Sequence, residues 1–402
     1  MKRVILGTYI YQLLYQLPQL FVLLALAKLL PKAELVVLAN YLIVINLISM
    51  IADWGYSSLG AQKIFKYFDD KKKLHEIFQS GERVRFILCA TLWGSSVLIL
   101  FAMQKKNSID DIFLPSVILL LGTLSSALLP NWLIVGTRIY GYVIPFLFFI
   151  RLLSISLLVY MAQTTQDVVP SLIMYFSFLT FASIFLRSRL IKQLNLHPCR
   201  NLNIDRTEFN SGFLFMLGGV FSYAYLSTGV LFVDCFGLTA NAASFVIAER
   251  IIAIARAVYA PFIQYLFVNI SREGNNSRQM SKEFLLVLLI GSSLVWFVGA
   301  LLINYLFNDK VAWEYFNILM VGFVFLGLSH HYITLNILGR GFVLKWLMIM
   351  FAACVVYLTL LCLIANGKYL EAGRAAVMAI VIAEISVFVF GIFIHWRKNG
   401  CL

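Results

Sequence analysis

Apolar runs follow one another along nearly the whole chain, broken only by short polar stretches, none longer than about 25 residues. A helix needs roughly 20 apolar residues to cross the hydrocarbon core of a bilayer. The pattern predicts twelve such helices, over 5–27, 36–58, 84–103, 113–135, 142–161, 169–186, 211–233, 241–267, 284–306, 313–336, 343–365 and 373–395. Alternating strands of the length a membrane barrel requires are absent, which excludes that architecture. Composition agrees: mean hydropathy is +0.88, and 61% of the 402 residues are apolar against 13% charged. A soluble domain of this size needs more polar surface than that. The chain reads as an all-α polytopic membrane protein with little outside the bilayer.

Charge sorts the segments between the helices by side. Of the 32 Lys and Arg, 22 fall on the side that holds both termini, 6 on the other, and 4 (Arg151, Arg250, Arg256 and Arg374) within spans. Basic loops stay cytoplasmic, so both termini are expected on the cytoplasmic side. Residues 64–82 and 188–209 are then cytoplasmic, and 104–111 and 307–312 periplasmic. Topology and anionic headgroups account for most of the +13 net charge, and no nucleic-acid partner is needed. Met1-Lys2-Arg3 before an apolar run mimics a signal peptide, but eleven further spans favour a retained helix. Six scattered cysteines without a Cys-x-x-Cys pair define neither a disulfide framework nor a metal site.

Sliding the chain on itself by 203 residues superimposes helix boundaries. Span 3 falls on span 9, span 4 on span 10 and span 6 on span 12, while Ile134–Arg138 falls on Ile337–Gly341, Asp53 on Arg256 and Tyr56 on Tyr259. Six spans per half give both halves one orientation, related by an axis along the membrane normal. The expected organisation is an N-terminal six-helix lobe (1–187), a cytoplasmic linker (188–210, with Pro198) and a C-terminal six-helix lobe (211–402). Such chains are usually transporters.

Charges inside spans are costly and are functional candidates by default. Arg151 sits mid-span 5; Glu249, Arg250 and Arg256 lie in span 8, Asp53 near the end of span 2, and Glu384 mid-span 12. Glu249 and Arg256 are seven apart, hence on one helical face, with Arg250 pointing about 100° away. These groups either pair and pin helices or, for the arginines, meet an anionic ligand whose oxygens suit the planar guanidinium. Gln12, Gln16 and Gln19 form a stripe on span 1 beside Tyr15, and span 7 carries Tyr223 and Tyr225 among Gly and Ser. Amides and phenols suit the hydroxyls and ring faces of sugars; the plainer reading is helix–helix hydrogen bonding. His330 and His331 are adjacent and diverge on a helix, a poor metal pair but a possible protonation site. Pro130 and Pro261 read as kinks.

Asp53-Trp54-Gly55-Tyr56-Ser57-Ser58 with Ala61-Gln62-Lys63, Leu129-Pro130-Asn131-Trp132 before Gly136, and Ala248-Glu249-Arg250-Ile251 through Tyr259-Ala260-Pro261, Gln264, Phe267 and Ser271 resemble the motifs of Wzx-type flippases. These belong to the multidrug/oligosaccharidyl-lipid/polysaccharide exporter superfamily. Asn131 and Val268 depart from the family's more common Gln and Pro. The resemblance implies two lobes in a V around a cationic cavity lined by spans 1, 2, 7 and 8. It also implies alternating-access movement of undecaprenyl-pyrophosphate-linked O-antigen or related repeat units to the periplasmic leaflet. Arg250 and Arg256 are then the pyrophosphate ligands, with Arg151 added on its depth alone. Gln12, Gln16, Gln19, Tyr15, Tyr223 and Tyr225 meet the glycan, and Asp53, Glu249 and Glu384 serve charge pairing or coupling. H⁺ or Na⁺ is the expected coupling ion, with membrane lipids and other polysaccharide-assembly proteins as partners and no cofactor.

Two alternatives compete. A drug/cation antiporter of the same superfamily would want an acidic rather than an arginine-rich cavity. A polytopic polymerase or ligase would need a large outer loop for its catalytic residues, whereas every outer loop here is about ten residues or fewer. The loop after span 2, Gly60-Ala61-Gln62-Lys63-Ile64, also lacks the major-facilitator signature.

Overall fold

The computed structural model describes residues 26–105, 112–196, 206–235, 241–257, 277–338, 341–365 and 372–396, with isolated positions before 26. Among them every regular element is a helix. The chain forms α1 (Lys32–Asp53), a π-helical turn (Tyr56–Gly60), α2 (Ala61–Lys66), α3 (Lys71–Lys105), α4 (Phe113–Leu128), α5 (Asn131–Thr137), α6 (Val143–Thr165) and α7 (Val168–Gln193). There follow α8 (Arg206–Ser227), α9 (Gly229–Cys235), α10 (241–257), α11 (Ser277–Leu301), a second π-helical stretch (Leu302–Phe307), α12 (Lys310–Asn336), α13 (Val343–Ala365) and α14 (Ala372–Trp396).

Nine helices among the described residues are long and apolar enough to cross a membrane, or ten if the pair within 212–235, bent by 47°, counts as one span. Large apolar side chains lie on their outer faces, including Leu98 (71% exposed), Phe149 and Leu294. That distribution suits lipid rather than water. Most of expected span 1 and the end of span 8, with Tyr259, Pro261 and Val268, lie outside the described residues.

Two compact units emerge: residues 1–18 with 41–216, and 19–40 with 217–402. The second unit thus takes residues 19–40 from the first half of the chain. Asn40 Nδ2 donates to Asp234 Oδ2 at 3.2 Å within it. Inside the first unit α3 packs on α4, α4 on α7 and α7 on α6; inside the second α11 packs on α12, α12 on α14 and α14 on α13. The same order recurs at the 203-residue offset. Arg138, which closes α5, and Gly341, its counterpart by that offset, both take positive φ (59° and 78°). A left-handed residue stops a helix by turning the chain away from its axis.

The ends of elements follow from local chemistry. Asp309 starts α12 by accepting hydrogen bonds from the Val311 and Ala312 amides, and Asp167 starts α7 from the Val169 amide, each satisfying orphan donors of the first turn. Pro130 ends α4, because it has no N–H for the Ser126 carbonyl and pushes Leu129 to extended backbone (ψ 109°). After the break α5 packs on α2 so closely that a Cβ on Gly136 would stand 2.7 Å from Ile64.

Candidate functional site

Among the described residues, apart from Arg151 and the Glu82–Arg187 pair, buried charge gathers at two places, one in each unit. In the first, α1 ends where Trp54 and Gly55 both turn left-handed (φ 50° and 75°). Glycine takes that conformation without strain, whereas tryptophan there costs about 1–3 kcal/mol. The indole offsets it: Nε1 donates to the Phe209 carbonyl at 3.1 Å, and the ring lies 4.7 Å from Phe209. Asp53 Oδ2 accepts from the Ser57 amide at 2.8 Å. Across from it Arg85, 4% exposed, places Nε 3.8 Å from Asp53 Oδ1. Its Nη2 donates to the carbonyls of Ser126 (3.0 Å) and Leu129 (3.4 Å). Ser126 is the acceptor that Pro130 deprives of a partner. The Asp53 motif, Arg85 and the Pro130 break therefore form one structural corner, walled by Tyr56, Phe78 and Trp132. Arg85 went unnoticed in the sequence because it counts there as one more basic residue of a loop.

Arg151 also belongs to this unit. It is buried on α6 and donates to the Tyr175 hydroxyl of α7 at 3.3 Å, so its visible partner is a neighbouring helix.

The second place lies among four helices of the other unit. On α10, Glu249 Oε1 accepts from Arg256 Nη2 at 2.9 Å, the one-face pairing that a seven-residue spacing allows. Arg250 does not point away as its position on the helix implies. Its Nε stands 3.3 Å from Glu249 Oε2, an ion-pair approach without a hydrogen bond, so two arginines share one carboxylate. The charge of Arg256 also acts on Glu384 of α14, Tyr225 of α8 and His330 of α12. Glu384 is 1% exposed. The Tyr225 hydroxyl and the Glu384 carboxyl face each other without a well-formed hydrogen bond, and both carboxyl oxygens are buried without one among the described residues. A buried polar group left in that state costs about 1–3 kcal/mol.

Arg250, Arg256, Glu249, Glu384 and Tyr225 are thus brought together, with His330 beside them. Its neighbour His331 turns away and stacks on Phe284 at 4.2 Å. Tyr223 lies about 200° round α8 from Tyr225 and is half-buried. Gln12, Tyr15, Gln16 and Gln19 lie outside the described residues. Among the described residues no three His, Cys, Asp or Glu side chains are grouped to hold a metal ion.

No protein-family model and no curated protein sequence matches the chain. Solved structures do. A MATE protein in complex with MaD3S is 15% identical, with a TM-score of 0.72 over 99% of this chain and 97% of its own. A MATE-family multidrug resistance transporter of the MOP superfamily, in an outward-facing conformation, is 14% identical, with a TM-score of 0.72 over 99% and 96%. A MOP-superfamily transporter from Pyrococcus furiosus, described as having a binding pocket of reversed polarity that suggests a different function, is also 14% identical, with a TM-score of 0.72 over 99% and 95%. The chain has the multi-pass helical fold of these membrane transporters.

Proposed function

We propose that the chain is an alternating-access transporter whose substrate is an undecaprenyl-pyrophosphate-linked oligosaccharide, carried from the cytoplasmic to the periplasmic leaflet of the inner membrane. The observation that carries this reading is two arginines, Arg250 and Arg256, on the single carboxylate of Glu249 within a span. That surplus of guanidinium suits a pyrophosphate, and Tyr225 beside it suits a glycan. Arg151, the span 1 glutamines and Tyr15 extend the same reading as further contacts of the lipid-linked sugar, as does Tyr223 on α8.

Energetics favour a coupled cycle. A pyrophosphate diester bears about two negative charges, and each gains about 2.3 kcal/mol per 100 mV on leaving a negative interior. The positive site must then return unoccupied against the same potential. A carboxylate that re-pairs with the arginines, Glu249 from within α10 or Glu384 from α14, neutralises it for the return.

The second reading is a drug/cation antiporter. The fold neighbours favour it, and the poorly hydrogen-bonded Glu384 would bind H⁺ or a substrate cation. The Pyrococcus neighbour, with its reversed-polarity pocket, argues that pocket charge decides between the two readings where fold does not. Proteoliposomes holding the purified chain test it. Flipping of a fluorescent polyprenyl-pyrophosphate oligosaccharide, faster under a potential negative on the side it leaves, is the expected result. Efflux of a lipophilic cation with no movement of the lipid-linked sugar replaces the first reading by the second.

A further inference from the structure

We propose that the first unit carries a binding site for an anionic phospholipid headgroup, separate from the α10 charge cluster and independent of what the transporter carries. A cavity of about 690 Å³ lies where the start of α6 meets the end of α7, lined by Tyr142, Phe146, Phe185, Arg189, Lys192 and Gln193. Its chemistry is divided. Phe146 and Phe185 stack at 4.7 Å to form an apolar floor, and the Arg189 guanidinium lies over the Phe185 ring at 5.5 Å. The exposed side chains of Arg189 and Lys192 bring two positive charges, and neither has a carboxylate within 4 Å among the described residues. Arg187, two residues before Arg189, shows the contrast: it is paired with Glu82 at 2.6 Å.

A second observation points to a ligand. The Tyr142 hydroxyl is buried, lies in the field of Arg189, and has no hydrogen-bond partner among the described residues. A phosphate oxygen would accept from it while the two cations neutralise the phosphate charge. The choice of a lipid over a free anion rests on what adjoins the cavity. Phe149 on α6 and Phe181 and Ile184 on α7 are 64%, 64% and 48% exposed, an apolar surface suited to acyl chains. The cavity sits at the end of these helices that the charge rule assigns to the cytoplasmic leaflet, whose anionic lipids attract basic groups by about fivefold in affinity per charge.

Native mass spectrometry of the full chain in neutral detergent tests this, with phosphatidylglycerol, phosphatidylcholine, undecaprenyl phosphate and inorganic phosphate as probes. Retention of phosphatidylglycerol over phosphatidylcholine by at least tenfold is expected. R189Q/K192Q should lose about tenfold or more of that preference, because both residues are exposed and their loss leaves the fold intact. F146A should weaken phosphatidylglycerol with the charges in place, and K71Q/K72Q, a basic pair elsewhere on the same side, should change nothing. The proposal is overturned if phosphatidylcholine binds equally or if R189Q/K192Q keeps the full preference. It is also overturned if millimolar inorganic phosphate, or undecaprenyl phosphate at the lipid's own concentration, displaces phosphatidylglycerol.

Discussion

Asp53 and Arg256 occupy equivalent positions in the two halves of the sequence, and the structure uses them in opposite ways. At the Asp53 corner the carboxylate holds a backbone amide and faces Arg85, whose Nη2 is spent on carbonyls that the Pro130 break exposes. Among the described residues Arg256 donates to a side chain instead. Its guanidinium shares Glu249 with Arg250, and the nearby carboxyl of Glu384 is buried without a good hydrogen bond. A buried charge whose partners are backbone groups freed by a helix break is explained by the fold. Surplus cations beside an unsatisfied carboxyl are not, and there the search for a substrate belongs.

The largest expected effects separate the two places. Arg256→Ala and Arg250→Ala should each lower transport in proteoliposomes by at least tenfold while the amount of folded protein stays near normal. Lysine should restore only part, lacking the planar fork. Arg85→Ala should act on the fold instead. Breaking a buried pair costs about 3–5 kcal/mol, so folded yield and Tm should fall together, and whatever protein folds should transport normally. Full transport in both α10 alanine variants would erase the distinction, as would a stable but inactive Arg85→Ala.

A middle-sized effect belongs to the corner alone. Gly136→Ala puts a methyl 2.7 Å from Ile64 and 2.9 Å from the Ala61 carbonyl, where neither helix can easily give. Overpacking of this kind costs about 1–3 kcal/mol. Tm in detergent should drop accordingly, with the substrate concentration for half-maximal transport unchanged. A shift in that concentration would mean that the corner reaches the substrate.

The span pattern was legible because length and hydropathy are local: α6, α12, α13 and α14 begin and end within a few residues of the expected bounds, whereas α4 stops seven residues short of its expected end, at the Pro130 break, and α7 runs seven residues past. The shared helical face of Glu249 and Arg256 was legible for the same reason, being a matter of helical period. The continuation of α3 back to Lys71 was not, because charge marked 64–82 as loop. A signal was there in Leu74, Ile77 and Phe78, spaced by three and one, which the structure buries. The break between α8 and α9 left only Thr228 and its small neighbours as a hint. The role of Arg85 could not be read at all, since its carbonyl acceptors lie 41 and 44 residues away and exist only once Pro130 has interrupted a helix.

The smallest and sharpest comparison replaces one carboxylate in each place by its neutral isostere. In Asp53→Asn the amide oxygen can still accept from Ser57, and Arg85 keeps its carbonyls. Only the 3.8 Å ion pair is lost, so stability should fall by about 1–2 kcal/mol, below the cost of stripping a fully buried charge, with transport and its ion dependence intact. Glu384→Gln should do the reverse. A neutral amide is cheaper to bury than a carboxylate, so Tm should hold or rise slightly. Uptake of a proton or cation at that position is then impossible, so transport measured against imposed H⁺ and Na⁺ gradients should lose its dependence on one of them. If Glu384→Gln leaves both gradient dependences unchanged, Glu384 is a packing group despite its unsatisfied oxygens. The return of the positive site must then rest on Glu249, whose two arginines already hold it.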